Sequence, residues 1–307
     1  MDINQEQVEQ FSKLLVSAAT DAIAHAQKVT IQSEPEVKIL ADSIANGHRL
    51  TTFQLKYQRF ILPEINTHRV FSRNSRSSRA TPIKKNIELV ETKPWGPIEW
   101  GLNQKGMVAE KVLTDEQKLK HVQYIWASVA NAVAKAAMDL DQNGIHKQIA
   151  NRLLESFLPI ETVLSSTEWD NFFHLRLAPD AQPEMRALAY KMKLAMDKST
   201  PVELKPGEWH LPYISQDDRQ NLEQEGDLFG DLQKISAARC ARVSYNTFDG
   251  TPNYTKDLEL FNKLIQGGHF SPLEHVATPA TDKDYMPSNF VGWNQFRKCF
   301  PNENYHD

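Results

Sequence analysis

The sequence predicts an α/β (α+β) protein made of a single domain over residues 1–307, and three observations lead to this prediction. Residues 36–41 and 50–57 largely alternate apolar and polar side chains on either side of Asn46 and Gly47, as two strands joined by a tight turn do. Residues 4–28 instead space their apolar side chains three and four apart, as amphipathic helices do, and residues 115–142 are apolar over much of their surface, as a buried helix is. No segment has the composition of a flexible linker, so one domain is favoured.

The remaining elements are predicted in chain order. We expect residues 61–65 to continue the strand region and residues 80–113 to form an inserted loop rich in proline and tryptophan. Thr114 and Gln117 have the spacing of a capping box, which predicts the start of a long, buried helix that ends at Gly144. The other predictions are helices at 145–157, 183–198 and 256–266, a helical turn or strand at 235–245, and polar loops at 200–232 and 269–275.

Charge and hydropathy limit the classes of function. The chain has 35 Lys and Arg against 39 Asp and Glu, a net charge of −4. This balance argues against a protein that coats nucleic acid, because non-specific affinity needs an excess of positive charge. No run has the apolar length of a membrane helix, and the N-terminus is too polar and acidic for a signal peptide. A cytoplasmic enzyme or binding protein is expected.

The two cysteines, Cys240 and Cys299, are predicted to be small buried hydrophobic residues. They form no CxxC pair, so neither a disulfide framework nor a metal site is indicated. Nothing in their flanking sequence suggests an activating base. Neither cysteine is therefore predicted to be a nucleophile.

Residues 67–79 carry the strongest chemical signal, and we call them the Arg/Ser segment. Only two of its side chains are apolar, and its polar side chains include His68, Arg69, Ser72, Arg73, Asn74, Ser75, Arg76, Ser77, Ser78 and Arg79. Guanidinium groups donate paired hydrogen bonds to phosphate, and hydroxyl and amide groups complete such a site. A nucleotide phosphate is therefore the predicted ligand. The alternative is a solvated helix face or a nucleic-acid patch, because arginines three and four apart share one face of a helix.

Two further groups have ordinary alternatives. Arg176 lies among aromatic residues, where a charge needs a partner, and a structural ion pair with an acidic neighbour is as good an interpretation as a ligand site. The candidate partners are Glu168, Asp170 and Glu184. His275 with Glu274 has the alternative of a solvated pair, because a lone histidine is weak evidence of function.

Three stretches of the sequence together resemble the flavin-dependent thymidylate synthases, also called thymidylate synthase complementing proteins. The family's arginine–serine signature is matched in register by His68, Arg69, Ser72, Asn74, Ser77 and Arg79. Its first arginine is replaced by Thr67, and its usual glutamate by Ser75. A second family motif is matched by Asn171, Phe172, Leu175, Arg176, Ala181, Gln182, Glu184, Met185 and Arg186. Arg152 resembles a further nucleotide-binding arginine of the family.

The third family motif is out of order. Residues 241–244 and 268–275 resemble segments that precede the signature in the family but follow it here. The chain therefore resembles a circularly permuted, phage-like member, which is possible when the termini of a domain lie close together. Residues 289–298 echo the family's residues just before the signature. On this partial duplication, Arg297 takes the place of the arginine that is missing at Thr67.

The resemblance implies a mixed β-sheet flanked by helices and a homotetramer with active sites at subunit junctions. It also implies FAD as the cofactor, deoxyuridylate as the substrate, methylenetetrahydrofolate as the carbon donor and NADPH as the reductant. The flavin then supplies the difficult chemistry, and the protein supplies position and charge. This agrees with the cysteines, because the unrelated classical thymidylate synthases need an activated cysteine and this family does not.

The resemblance also assigns roles to individual residues. Its catalytic candidates are Ser77, Arg176 and His275. Its substrate-binding candidates are Ser77, Arg79, Arg152, Arg176 and Gln182. Its flavin-lining candidates are His68, Arg69, Ser72, Asn74, Asn171, Ser244, His275 and Arg297. Thr67, Ser75 and the loop at 80–111 leave open another pyrimidine nucleotide as the substrate or a one-carbon product other than methyl. An alternative from a different class is a protein that binds a nucleotide or nucleic acid without turnover.

Overall fold

The computed structural model describes residue 9 and residues 29–224, 231–244, 249–282 and 286–303. The helix predicted over residues 4–28 lies almost wholly outside the described residues. The described α-helices are α1 (Leu62–Asn66), α2 (Ile83–Thr92), α3 (Glu116–Gln142), α4 (Lys147–Leu154), α5 (Asp170–Arg176), α6 (Pro183–Lys198), α7 (Gln216–Gln224), α8 (Asp231–Arg242) and α9 (Tyr254–Gln266). Short 3₁₀ helices are Arg59–Ile61, Glu155–Phe157, Ser271–His275 and Phe296–Cys299.

The strands form a mixed sheet of five strands and a small antiparallel pair. They are β1 (Glu36–Ala45), β2 (His48–Gln58), β3 (Ser72–Ser75), β4 (Pro159–Ser166), β5 (Val202–Glu203), β6 (Ala277–Pro279) and β7 (Trp293–Gln295). The larger sheet has the order β3-β4-β2-β1-β5, and β6 pairs with β7. β1 is antiparallel to β2 and parallel to β5, and β3 is antiparallel to β4. The predicted α/β fold class is therefore confirmed.

The contacts divide the described chain into two compact units. The first unit comprises described residues of Met1–Ser33, Gln58–Phe60 and Thr81–Pro159, and the second comprises those of Glu34–Tyr57, Ile61–Ala80 and Ile160–Asp307. In the first unit, α2, α3 and α4 enclose an apolar core around Ala130, Ala134 and Leu154. In the second unit, the largest core packs β2, β4 and α6 around Phe53, Leu164 and Met192. A single catalytic domain over 1–307 stays a prediction.

Several predicted boundaries are wrong, for local reasons. Residues 61–65 form a helical turn and not a strand, because Ile61 and Ile65, four residues apart, both enter the core. Residues 83–92 of the predicted loop form α2, whose Ile83, Ile87 and Val90 have helical spacing and are buried. The irregular part of that segment is therefore shorter than predicted. Helix α7 likewise lies within the loop predicted at 200–232.

The long helix α3 differs from its prediction in its cap and in its burial. Its N-cap is Asp115 and not Thr114, since the Asp115 carboxylate accepts a 2.9 Å hydrogen bond from the Lys118 backbone N–H. Only one face of the helix is buried, and that face is formed by Ala127, Ala130, Asn131, Ala134 and Ala137. The larger side chains Ile125 and Val129 are each 47% exposed. The helix is therefore amphipathic and not buried on all sides.

The β1–β2 turn confirms the prediction at Asn46 and Gly47. Ala45 pairs with His48, and the two turn residues have φ of 54° and 83°.

Gly47→Ala is expected to lower the free energy of unfolding by about 1 kcal/mol, because a Cβ is disfavoured at positive φ. A Cβ at this position has no heavy atom within 4 Å, so the cost would come from the backbone alone. Urea unfolding measures it, and Gly47→Asn is the control: asparagine tolerates this conformation and should lose clearly less. Equal losses of unfolding free energy in Gly47→Ala and Gly47→Asn would contradict the positive φ at residue 47.

Candidate functional site

The Arg/Ser segment contains a short edge strand and no helix. Its residues Ser72 to Ser75 form β3, in which Ser72 pairs with Ser165 and Ser75 with Thr162 of β4. Of the four arginines only Arg73 lies in this strand, and no residue of the segment is helical, so the arginines do not share one face of a helix. The alternative of a solvated helix face is therefore wrong. Arg76 is also paired, through a 2.7 Å contact with Glu161.

The Ser271–His275 turn packs directly against β3. Asn74 donates from Nδ2 to Ser271 Oγ at 3.0 Å, and its Oδ1 lies 3.0 Å from His275 Nε2. Ser72 donates from its hydroxyl to Glu274 Oε2 at 2.7 Å. Two predicted motifs that are about 200 residues apart in sequence thus meet at one strand.

His275 is fully buried and both of its ring nitrogens are in hydrogen bonds. Its Nδ1 lies 2.8 Å from Ser165 Oγ of β4, and its Nε2 contacts Asn74. Burial, and then the neighbouring His210, lower the pKa of His275 to about 3. The alternative of a solvated pair with Glu274 is therefore wrong, because His275 is neutral and enclosed while Glu274 bonds elsewhere.

Arg297 reaches the Arg/Ser segment through a carboxylate. Its guanidinium binds Glu274, which also accepts the hydrogen bond from Ser72, and it donates to Glu303 at 3.0 Å. Ser72 further accepts hydrogen bonds from Asn289 and Gln295 at 3.0 and 3.1 Å. The residues at 289–297 that echo the family sequence are thus neighbours of Ser72 in space.

His68 and Arg176 form a second cluster, with Glu64 and Thr67. Arg176 donates from Nε to His68 Nε2 at 3.0 Å and contacts Glu64 Oε2 at 3.0 Å. It also donates to Thr67 Oγ1 at 3.3 Å. Burial, then the positive charges of Arg176 and Arg73, lower the pKa of His68. The ion-pair partner of Arg176 is therefore Glu64, and not one of the three neighbours that the sequence suggested.

The other candidate residues fall into three groups. Ser77 and Ser244 are joined by a 3.0 Å hydrogen bond from the Ser77 N–H to the Ser244 carbonyl oxygen. The exposed side chains of Arg69, Arg79 and Asn171 have no hydrogen-bond or ion-pair partner among the described residues, and neither does the half-buried side chain of Gln182. Arg152 lies in the first unit, where it is exposed and paired with Glu155 at 2.8 Å.

Sequence reasoning missed several members of these clusters. Ser165 went unnoticed because β4 was not predicted, although residues 159–166 have the β-branched and apolar composition of a buried strand. Glu64, Asn289 and Gln295 also went unassigned. The echo at 289–298 was the available signal for the last two, but no local pattern identifies Glu64 as the partner of Arg176.

The cysteines offer no activated thiol. Cys240 is buried as predicted, and burial raises the pKa of its thiol. Cys299 is exposed, so the prediction of a buried hydrophobe is wrong there, and partial burial of its sulfur still raises its pKa. In the part of the chain that the structure describes, no group of three His, Cys, Asp or Glu side chains could hold a metal ion, and no helix is long and apolar enough to span a membrane.

Comparison with known proteins identifies the family. A sequence model of the family described as "Thymidylate synthase complementing protein" matches residues 6–202. This chain belongs to that family. A comparison with curated proteins finds no match. The match in this thymidylate synthase complementing family ends before the Ser271–His275 turn, so part of the candidate site lies beyond the matched residues.

Solved structures of related proteins are similar at low identity. A UMP/dUMP methylase, PolB, from Streptomyces cacaoi bound with 5-Br dUMP has 16% identity and a TM-score of 0.45, with 55% of this chain and 93% of that chain covered. Thymidylate synthase X from Helicobacter pylori with FAD and dUMP has 19% identity and a TM-score of 0.33, with 48% and 67% covered. The family assignment rests on the sequence match and not on these likenesses.

Proposed function

We propose that this protein is a flavin-dependent thymidylate synthase, which converts deoxyuridylate to thymidylate with FAD, methylenetetrahydrofolate and NADPH. One observation carries the proposal: the family's arginine–serine signature is joined by the Ser271–His275 turn, and two arginines of that signature remain unpaired among the described residues. The circular permutation proposed from the motif order accounts for this arrangement, because the turn follows the signature in sequence but contacts it in space.

The charges near β3 suit phosphate groups. Arg69 and Arg79 flank β3 in sequence, are exposed, and have no acidic partner among the described residues. A guanidinium group without a partner is free to donate two parallel hydrogen bonds to phosphate. By contrast, Arg76 and Arg176 are neutralised by Glu161 and Glu64. We therefore assign phosphate binding first to Arg69 and Arg79, and Arg176 would have to leave Glu64 to take part.

The polar groups of the same segment fit a flavin. A flavin ring presents carbonyl and N–H groups, and Asn74 retains a second amide N–H after donating to Ser271. The Ser77 hydroxyl has no partner among the described residues and is free for the nucleotide base. When bound, FAD would supply the hydride transfer. Because both ring nitrogens of His275 are occupied, we propose that His275 acts by holding Asn74 and not by direct contact.

The cysteines support flavin chemistry over a covalent thiol mechanism. A thiol nucleophile needs a lowered pKa and access to the substrate. Cys240 is buried and Cys299 has a raised pKa, so neither has both properties. Substrate activation by a cysteine is therefore not part of the proposal.

The test is an assay of the purified protein with FAD, NADPH and methylenetetrahydrofolate. Each pyrimidine deoxynucleotide monophosphate is supplied in turn, and the product is read by mass spectrometry. Deoxyuridylate alone should gain the mass of one CH2 unit, because a methyl group replaces a hydrogen of the base. A protein that takes up no flavin and forms no product would contradict the enzyme proposal and favour a nucleotide-binding protein.

Arg79→Ala is expected to weaken nucleotide binding about 10- to 150-fold, the range for losing a hydrogen bond to a charged group. Isothermal titration with deoxyuridylate measures this effect on the flavin-loaded protein. Lys193→Ala is the matched control, because it removes one positive charge from an exposed i,i+4 pair with Asp197 on α6. Equal affinities for the two variants would contradict a phosphate contact by Arg79.

A second candidate is the same chemistry on another pyrimidine nucleotide. Ser75 stands where the family usually has glutamate, and its hydroxyl lies 2.9 Å from Thr162 Oγ1. A negatively charged carboxylate is thus replaced by a neutral hydroxyl that already has a hydrogen-bond partner. This replacement changes which hydrogen-bonding groups of a nucleotide base the site can bind. Methylation of a different nucleotide in the same assay would select this candidate. The homotetramer and the role of Arg152 remain predictions of the resemblance, and the cytoplasmic location remains a prediction from the composition of the sequence.

A further inference from the structure

A continuous chain of hydrogen bonds crosses the large sheet of the second unit and ends at Asn74. We call it the relay, and its members are Ser43, His210, Thr52, Ser165, His275 and Asn74. The consecutive distances are 2.9, 2.8, 2.6, 2.8 and 3.0 Å. Its strand residues come from β1, β2, β4 and β3, which are adjacent in the sheet. Asn74 is its only member that is not buried.

The direction of each hydrogen bond follows from Asn74. Because its Nδ2 donates to Ser271, its Oδ1 faces His275 and can only accept, so His275 Nε2 carries the hydrogen. Burial keeps His275 neutral, and a neutral imidazole has one donor and one acceptor nitrogen. His275 Nδ1 therefore accepts, and the Ser165 hydroxyl donates to it at 2.8 Å.

The same reasoning continues to the other end of the relay. The Ser165 hydroxyl already donates its hydrogen to His275, so its oxygen accepts from the Thr52 hydroxyl at 2.6 Å. Thr52 then accepts from His210 Nε2–H, which leaves His210 Nδ1 to accept from the Ser43 hydroxyl at 2.9 Å. Every member donates toward Asn74, and both histidines are the Nε2–H tautomer. One ordered state satisfies all the buried groups.

We propose that His210, Thr52 and Ser165 are positioning residues that fix the tautomer of His275 and thereby the amide orientation of Asn74. The pattern is that of a histidine whose second nitrogen is held by a partner that selects its tautomer. Without the Thr52 hydroxyl, Ser165 is no longer held as a donor to His275 Nδ1 and can accept from it instead, so the Nδ1–H tautomer becomes accessible. That tautomer cannot donate to Asn74, so the amide of Asn74 is released to rotate. The consequence for flavin binding rests on the proposed function, but the ordering of the relay does not.

The test compares two substitutions of Thr52 by ¹⁵N NMR of the histidine ring nitrogens. In the wild type, His275 should show a protonated Nε2 and an unprotonated Nδ1. Thr52→Val keeps the side-chain shape but removes the hydroxyl, and the two ¹⁵N signals of His275 should move toward averaged values. Thr52→Ser keeps the hydroxyl and should restore the wild-type signals. Thr51→Val is the matched control, because it removes a neighbouring buried hydroxyl that bonds Asp42 outside the relay.

Flavin affinity is the second readout. Thr52→Val should bind FAD about three- to tenfold more weakly than Thr52→Ser, the range for one lost hydrogen bond. If no variant binds FAD but the ¹⁵N signals change as expected, the proposed function fails and the relay stands. An Nδ1–H tautomer of His275 in the wild type, or unchanged signals in folded Thr52→Val, would overturn the relay. His210→Gln is a further variant, since the glutamine amide can both donate to Thr52 and accept from Ser43. Loss of the Nε2–H tautomer of His275 in this variant would also contradict the relay.

Discussion

Replacing Arg239 by methionine is expected to destabilise the protein by about 3–5 kcal/mol, the range for removing one partner of a buried ion pair. Arg239, on α8, is fully buried and donates to both carboxylate oxygens of Asp218, at 2.8 and 2.9 Å. It also donates to Asp257 at 3.0 Å and to the Tyr213 carbonyl oxygen at 2.7 Å. Its loss would leave two enclosed carboxylates without this cation. Urea unfolding followed by circular dichroism measures the change.

Lys234→Met is the matched control for Arg239→Met on the same helix. Lys234 pairs with Asp231 at 2.7 Å, but its side chain is 37% exposed, and pairs of this kind contribute up to about 1 kcal/mol. Asp257 keeps its ion pair with Arg242 at 2.6 Å, so neutralising only the other carboxylate, by adding Asp218→Asn to Arg239→Met, is expected to recover part of the loss. Equal unfolding free energies for Arg239→Met and Lys234→Met would show that the buried cluster does not stabilise the fold.

Stability is expected to fall steeply as the pH drops below about 6.5, the ordinary pKa of histidine. Burial lowers the pKa of His210 to about 3, although the charge of Asp42 opposes it, and burial and His210 lower that of His275 to about 3. Between the two pKa values the unfolded chain binds the extra protons, so acid favours unfolding. Each histidine contributes about 1.4 kcal/mol per pH unit in this window, and the contribution is fully present above it. His68, with a lowered pKa, adds in the same direction.

Urea unfolding over a pH series measures this dependence. His210→Gln removes one of the two histidines with a strongly lowered pKa. It should remove about half of what His210 and His275 together contribute to the slope of the unfolding free energy against pH. A separate loss is expected from Asp218. Burial raises the pKa of Asp218, but hydrogen bonds from Arg239 and Ser215 outweigh this and lower it to about 2. Because its ordinary pKa is 3.8, its contribution is lost between about pH 3.8 and 2, a range that begins at the acid end of the histidine window and extends below it. A flat profile in the histidine window would contradict the neutral relay.

Elements with strong local signals were predicted well from the sequence. Asn46 and Gly47 take the positive φ angles of a tight turn, and Pro183 begins α6 as expected. Elements whose form depends on their neighbours were not. Residues 72–75 and 159–166 become strands because they pair with each other, and no periodicity within either segment shows that pairing.

The candidate site divides in the same way. Residue types and their spacing are enough to predict Ser72, Asn74 and His275 as site residues. Their actual neighbours come from distant parts of the chain, as the contacts of Ser72 with Glu274 and of His275 with Ser165 show. Arg176 makes the same point, because its partner Glu64 is 112 residues away, while acidic residues next to it in sequence are not its partners.

The sequence by itself determined the family, the α/β class and the chemical character of the Arg/Ser segment, because these depend on residue types at fixed local spacings. Only the tertiary structure decided which arginines are free and which are neutralised among the described residues, and which buried hydroxyls link His210 to His275. Those properties depend on distances between residues that are far apart in sequence, and the packing of the sheet sets these distances. The signature therefore predicts a site for anions, the proposed function gives that role to the unpaired Arg69 and Arg79, and the fold places Asn74 at the end of the relay.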